Sequence, residues 1–210
     1  MESVQPMKTL VINCSLKSRS EELVAAVNKF STVLLADFSL IDERNLIGSD
    51  IDAVIISGSG ARIVHPAERQ MFSSVIKLIK TCERPLLGIC YGHQLLCYAF
   101  GADVGALPEE VLRFENVRLL ADDEVFSGFK SGQIVPIFES HHDYVLKNSL
   151  ERAGMILLAD APSCEVEAVK HKSKPFYGFQ FHPERITFGN VTHPEGQQLI
   201  ENFCRKIVKK

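Results

Sequence analysis

The 210-residue chain holds six cysteines, Cys14, Cys82, Cys90, Cys97, Cys164 and Cys204, but no C-x-x-C pair. Scattered in this way they form neither a zinc-finger spacing nor a dense disulfide framework, so reduced thiols are expected. Five of the six read as small buried apolar residues. No apolar run approaches the roughly 18 residues that cross a membrane, and Met1 to Lys8 lacks the apolar core of a signal peptide. A cytoplasmic protein with no membrane contact is expected. Charge of one sign is missing too: 23 Lys and Arg stand against 26 Asp and Glu, for a net charge of -3. There is no basic stripe for nucleic acid, and Lys206, Lys209 and Lys210 read as the solvated end of a last helix. No internal repeat, low-complexity tract, linker or ATP-binding fingerprint appears. With 46% hydrophobic residues, the chain is expected to bury one core as a single domain spanning 1–210.

Strands and helices alternate through the first half. Lys8 to Asn13 reads as an apolar strand, followed by a helix over Glu21 to Phe30 after the polar Ser18-Arg19-Ser20 start. Thr32 to Ala36 and Ile51 to Ile56 are further strands, and a helix is expected over Ala67 to Thr81 with Met71, Val75, Leu78 and Ile79 inward. Pro85 to Cys90 is the fourth strand. This alternation predicts a mostly parallel sheet flanked by helices, whose ligands gather at the carboxyl ends of the strands. After Gly101 the chain is β-rich, with short strands at Val117 to Leu120, Gln133 to Phe138, Met155 to Ala159, Val166 to Lys170 and Phe176 to Phe181. A helix over Pro194 to Val208 closes it.

Chemistry concentrates at Gly88-Ile89-Cys90-Tyr91-Gly92, between the fourth strand and a helix carrying Leu95, Leu96, Ala99 and Phe100. Glycines two residues either side of a nucleophile allow the tight strand-to-helix turn that lifts its side chain from the sheet, as in the Gly-x-Ser-x-Gly elbow. There the helix dipole and free N–H groups favour a thiolate. Flanks of this kind have no packing explanation, so Cys90 reads as a nucleophile on an exposed turn. Three other stretches resist a purely structural reading. Ser57-Gly58-Ser59-Gly60-Ala61 follows the third strand and reads either as a plain βα turn or as a loop whose backbone N–H groups approach a ligand. Glu139-Ser140-His141-His142-Asp143 is too polar for a strand interior and is expected to be a loop. It lacks the spacing and fourth ligand of a metal site, so no metal is expected. Finally, Phe181-His182-Pro183-Glu184 places a histidine and a carboxylate two residues apart, on one side of an extended segment. With Cys90 they supply nucleophile, base and orienting acid.

Gly88-Ile89-Cys90-Tyr91-Gly92-His93-Gln94 and Phe181-His182-Pro183-Glu184 closely resemble the two signature blocks of class I, triad-type glutamine amidotransferases. The resemblance covers most of the chain. The Ser-His-x-Asp-like block at Ser140 to Asp143 and Cys164-Glu165-Val166-Glu167-Ala168-Val169-Lys170-His171 are most similar to amidotransferase subunits of two-subunit GMP synthases. It implies a flavodoxin-like three-layer α/β fold and a reaction in which Cys90 attacks the side-chain amide of L-glutamine. A γ-glutamyl thioester and ammonia result, and water then releases glutamate. His182 relays protons and Glu184 orients it. The oxyanion hole falls to the N–H of Tyr91 and to Gly58 and Ser59, while Gln94 and the backbone of Ser140, His142 and Asp143 hold the glutamine. The partner implied is a separate ATP-pyrophosphatase synthetase that turns xanthosine monophosphate into GMP. ATP and magnesium belong to that partner, and no cofactor is implied in this chain.

Some positions depart from the family pattern. Ser59 aligns with the oxyanion-hole glycine, His142 stands where glycine is common, and the first strand ends in Asn13-Cys14-Ser15. Arg185 to Val191 reads as an insertion at the face where a synthetase would dock, beside the Glu139 to Asp143 segment. A stand-alone γ-glutamyl hydrolase, an amidotransferase for another acceptor and an inactive regulatory domain are the competing expectations.

Overall fold

The computed structural model describes residues 6–18, 20–41, 48 and 50–208. The expectations resting on Met1 to Gln5, Arg19, Lys209 and Lys210 lie outside the described residues. Short apolar runs separated by helices give β1 (Lys8–Asn13), α1 (Glu21–Asn28), β2 (Thr32–Asp37), β3 (Ala53–Ile56), α2 (Pro66–Met71), α3 (Ser73–Thr81), β4 (Leu86–Ile89) and α4 (Tyr91–Ala99). Then come β5 (Val104–Leu119), β6 (Ile134–Val145), β7 (Met155–Asp160), β8 (Ala168–His171), β9 (Phe176–Phe179), the small hairpin β10 (Thr187–Phe188) and β11 (Val191–Thr192), and α5 (Glu195–Asn202).

Among the described residues, nine strands form one sheet in the order β2-β1-β3-β4-β9-β8-β7-β5-β6. The first five run parallel, and from β9 outward the neighbours are antiparallel. Alternate side chains of the central strands feed two cores. Leu10, Ile12, Val54, Ile56 and Leu86 pack with Phe72, Val75, Ile79 and Leu95 on one face. Val11, Ala53, Ile55, Leu87 and Ile89 pack with Leu23, Val27, Leu199 and Phe203 on the other. The result is the three-layer α/β arrangement with a β-rich second half. The parallel strands have the flavodoxin-like order, whose switch point lies between β1 and β3.

Several expectations need correction. Glu139 to Asp143 is not a loop but the interior of β6, where Glu139, Ser140 and His141 pair with Arg113, Leu112 and Val111 of β5. Its polar residues are tolerated because neighbouring elements cover them: Glu139, His141 and Asp143 are buried. The helix expected over Ala67 to Thr81 breaks at Phe72 (φ -100°, ψ 18°). The break sends the Phe72 ring into the core, 4.4 Å from Phe38 and 4.8 Å from Tyr91 between centroids, and leaves Met71 exposed rather than inward. Val117 to Leu119 is only the end of the 16-residue β5. The last helix loses α geometry at Phe203, where a π turn runs to Ile207. All six cysteines are free and buried, Cys90 included, so its side chain does not stand on an exposed turn.

Candidate active site

Cys90 joins β4 to α4 at φ 50° and ψ -105°. Such a backbone costs a residue with a side chain on the order of 1–3 kcal/mol, and it persists because its surroundings hold both ends. The Cys90 N–H donates to the Phe179 carbonyl at 2.7 Å, and its carbonyl accepts from the Gln94 N–H at 3.0 Å. Gly92 is needed next to it, since a Cβ there would collide with the carbonyl of Ile56 on β3. The sulfur therefore sits at the N-terminus of α4, whose first N–H groups have no partner within the helix.

His182 is brought to the sulfur by the segment that leaves β9, a strand parallel to β4 that ends beside it, and pairs with Phe138 of β6. Its N–H donates to the Phe138 carbonyl of β6 at 2.8 Å, and its Nδ1 stands 2.7 Å from Glu184 Oε1. Burial opposes a charged imidazole here, but the Glu184 and Cys90 charges outweigh it and raise the His182 pKa to about 10. The glycine loop closes over the pair: a Cβ on Gly58 would lie 2.9 Å from His182 Cε1 and 3.4 Å from Cys90 Cβ.

These groups open onto a cavity of about 810 Å³, lined also by Ser59, Gln94, Ser140, His142 and Asp143. It lies at the carboxyl ends of β1, β3 and β4, where open α/β sheets bind ligands. A thiol, an imidazole paired with a carboxylate, and a glycine loop in one cavity are the parts of an acyl-transfer site.

A family model described as glutamine amidotransferase class-I matches residues 10–207. The chain belongs to that family. It is 35% identical over 176 residues to the glutamine-hydrolysing GMP synthase subunit of Methanothermobacter thermautotrophicus, covering 82% of this chain and 84% of the relative. With the protein of the same description from Archaeoglobus fulgidus it shares 33% over 162 residues, 77% of this chain and 78% of the relative. The crystal structure of a putative GMP synthase subunit from Thermoplasma acidophilum superposes with a TM-score of 0.80. It is 24% identical, and the match covers 95% of this chain and 92% of the other.

Within the amidotransferase pocket, the expected residues converge with two refinements. Tyr91 is buried and does not line the cavity, although it follows Cys90 directly in the chain. Asp143 already has partners: its carbonyl accepts from Gln94 Nε2 at 2.7 Å, and its carboxylate from Arg62 Nε at 2.7 Å and the Val64 N–H at 3.3 Å. Gln94 Nε2 also donates to Gln180 Oε1 at 3.1 Å. Gln94 and Asp143 thus brace the cavity wall as well as line it. Sequence reasoning passed over Arg62, the cation beside the glycine loop, and gave Ser57, the first residue of that loop, no role of its own. The Ser57 hydroxyl accepts from the Cys14 N–H at 2.8 Å and donates to the Gly58 carbonyl at 3.0 Å, tying the loop to the end of β1. The serine immediately after an apolar strand was the signal for the latter; Arg62 and Asp143 lie 81 positions apart and gave none.

Proposed function

We propose that this amidotransferase is the glutaminase subunit of a two-subunit GMP synthase, delivering ammonia from L-glutamine to a separate ATP-pyrophosphatase synthetase that acts on xanthosine monophosphate. The observation that carries the chemistry is Cys90 on its strained elbow, facing a His182 that is paired with Glu184. Relatives described as one subunit of a glutamine-hydrolysing GMP synthase support the division of labour, and ATP and magnesium then belong to the partner.

In this reading Cys90 Sγ, as thiolate, attacks the amide carbon of glutamine while the imidazolium of His182 protonates the leaving nitrogen. Ammonia departs and a γ-glutamyl thioester remains. His182, now neutral, takes a proton from water, whose oxygen attacks the thioester; glutamate leaves and Cys90 is regenerated. The charge on the tetrahedral oxygen falls to the N–H groups of Tyr91 and of the loop at Gly58 and Ser59, each such donor being worth roughly 3–4 kcal/mol. The glutamine is held by Gln94, Ser140, His142 and Asp143. The β10–β11 hairpin, with Phe188 and Val191 exposed, supplies the docking face beside the pocket. The buried Glu139 and His141 are not part of that face.

The test is glutamate release by the purified chain, alone and with the synthetase, ATP, magnesium and xanthosine monophosphate. Stimulation by the complete mixture, with GMP formed from glutamine, is expected. Unchanged release, with GMP formed only from added ammonium, rejects this acceptor; rapid turnover without any partner favours a stand-alone γ-glutamyl hydrolase.

A further inference from the structure

On the inward side of β6, reaching the pocket wall at His141, lies a polar cluster that the glutaminase chemistry does not use. Glu139 and His141 alternate with Ser140 and so point the same way into the protein. Cys164 and Glu167 meet them from the turn between β7 and β8. Ligand atoms of His141, Cys164 and Glu167 all lie within 4.8 Å of one another, and His141 Nε2 stands 3.5 Å from Glu139 Oε2. Glu139 and Glu167 are 0% exposed and His141 4%. Apart from a proton shared between the two carboxyls and the Cys164 thiol beside Glu167, no donor reaches the carboxyl oxygens, and His141 Nε2 has no hydrogen-bond partner.

A native interior rarely leaves a buried group of this size short of partners, since each unsatisfied polar atom costs on the order of 1–3 kcal/mol. The histidine is already set in the tautomer a metal needs. Its Nδ1 donates to the Asp143 carbonyl at 3.1 Å, turning the Nε2 lone pair toward the carboxyls and the thiol. Metal-bound histidines are oriented by the same kind of outer bond.

We propose that His141, Cys164 and Glu167, with Glu139 as the fourth ligand, form a structural zinc site. One imidazole nitrogen, one thiolate and two carboxylates suit the tetrahedral preference of Zn²⁺ and its tolerance of nitrogen, sulfur and oxygen donors. Closure onto the ion draws the ligand atoms to roughly 3.5 Å apart, as bonds of about 2.0–2.3 Å require. Binding displaces the Cys164 thiol proton and any proton on the two carboxyls, and the dication neutralises two of the three negative charges left. Four protein ligands leave no open position, so the ion does no chemistry on glutamine. It fixes β6 to the β7–β8 turn, and with it Ser140, whose carbonyl lies 3.5 Å from Cys90 Sγ. The ligands are split between 139–141 and 164–167, which is why no metal spacing is visible along the chain. The competing arrangement is metal-free: burial and then Glu167 push the Glu139 carboxyl well up, burial pushes Glu167 up to about 7, and the pair shares a proton.

The experiment is elemental analysis of the full chain expressed with zinc, iron and manganese supplied together, followed by chelation and titration with Co²⁺. About one zinc per chain is expected, with a thiolate-to-cobalt absorption band and the intense visible bands of tetrahedral Co²⁺. Cys164→Ser should abolish the thiolate band and Glu167→Gln should lower zinc affinity at least about tenfold, while Cys97→Ser keeps both. If Cys164→Ser does not fold, the metal count and cobalt spectrum of the unsubstituted protein decide alone. Sub-stoichiometric metal with no thiolate band would leave the shared proton as the answer, and a thiolate band that survives in Cys164→Ser would also overturn the site.

Discussion

His182 Nδ1 and Glu184 Oε1 are 2.7 Å apart across a single proline, and the pair is buried enough for the carboxylate to set the charge of the ring. Since the His182 pKa is about 10 in the folded protein and about 6.5 in an unfolded chain, the native state binds its proton more tightly. The stability this gives is complete below about pH 6.5 and is lost as pH rises through about 10. Glu184→Gln removes the larger of the two charge effects, those of Glu184 and Cys90, that raise the pKa. It should cut kcat/KM by about 100-fold or more and flatten the loss of stability between pH 7 and 10, read by urea unfolding. An unchanged alkaline slope would mean that other groups govern it.

Cys90→Ala and Cys90→Gly should both be inactive in glutamate release, and both should fold. Their stabilities should differ in an order opposite to ordinary propensity. Alanine keeps the side-chain clash at φ 50°, whereas glycine accepts that angle freely, so Cys90→Gly should be the more stable by about 1 kcal/mol. Thermal melts of the two proteins compare them directly. If alanine proves the more stable, the elbow is not strained.

His93 gives an acid-side prediction. It is fully buried in α4, and desolvation lowers its pKa to about 3. Between that value and about 6.5 the unfolded chain binds a proton that the native protein refuses, so stability falls as pH drops through this window, by up to about 1.4 kcal/mol per pH unit. In His93→Gln the slope of unfolding free energy between pH 4 and 6 should be shallower by up to that amount. A parallel slope would place the acid sensitivity elsewhere.

The parallel half of the fold was legible because helix and strand periods differ, and because Gly88-x-Cys90-x-Gly92 has local geometric meaning. The His182–Glu184 pair was legible for the same reason: two-residue spacing in an extended chain fixes a common side. What the sequence hid depends on distant partners. Glu139 to Asp143 reads as a loop because strand interiors are seldom polar on both faces; only the pocket on one side and the Glu167–Cys164 turn on the other make it a strand. Phe72 ends α2 for the sake of contacts with Phe38 and Tyr91, which no local propensity encodes.

The glycine loop offers the sharpest test of how the site is controlled. Among the described residues, Ser20 and Cys90 are the non-glycine residues with positive φ, so Ser59 occupies an ordinary backbone conformation. Its hydroxyl accepts from the Ala61 N–H at 3.1 Å, a local bond that favours the present loop. If the Ser59 N–H must rotate into the oxyanion hole, the Cβ and this bond both resist the rotation, and a docked synthetase has to overcome them. Ser59→Gly removes both restraints. It should raise the glutaminase rate of the isolated chain and shrink the stimulation by the partner, because less of the population remains to be shifted. Ser59→Pro, which has no N–H to donate, should lose activity in either setting. Glutamate release by the three proteins, each with and without the loaded synthetase, separates the alternatives. Full turnover in Ser59→Pro would show that the hole is built from other donors, and a slower isolated Ser59→Gly would show that the Ser59–Ala61 bond belongs to the active loop.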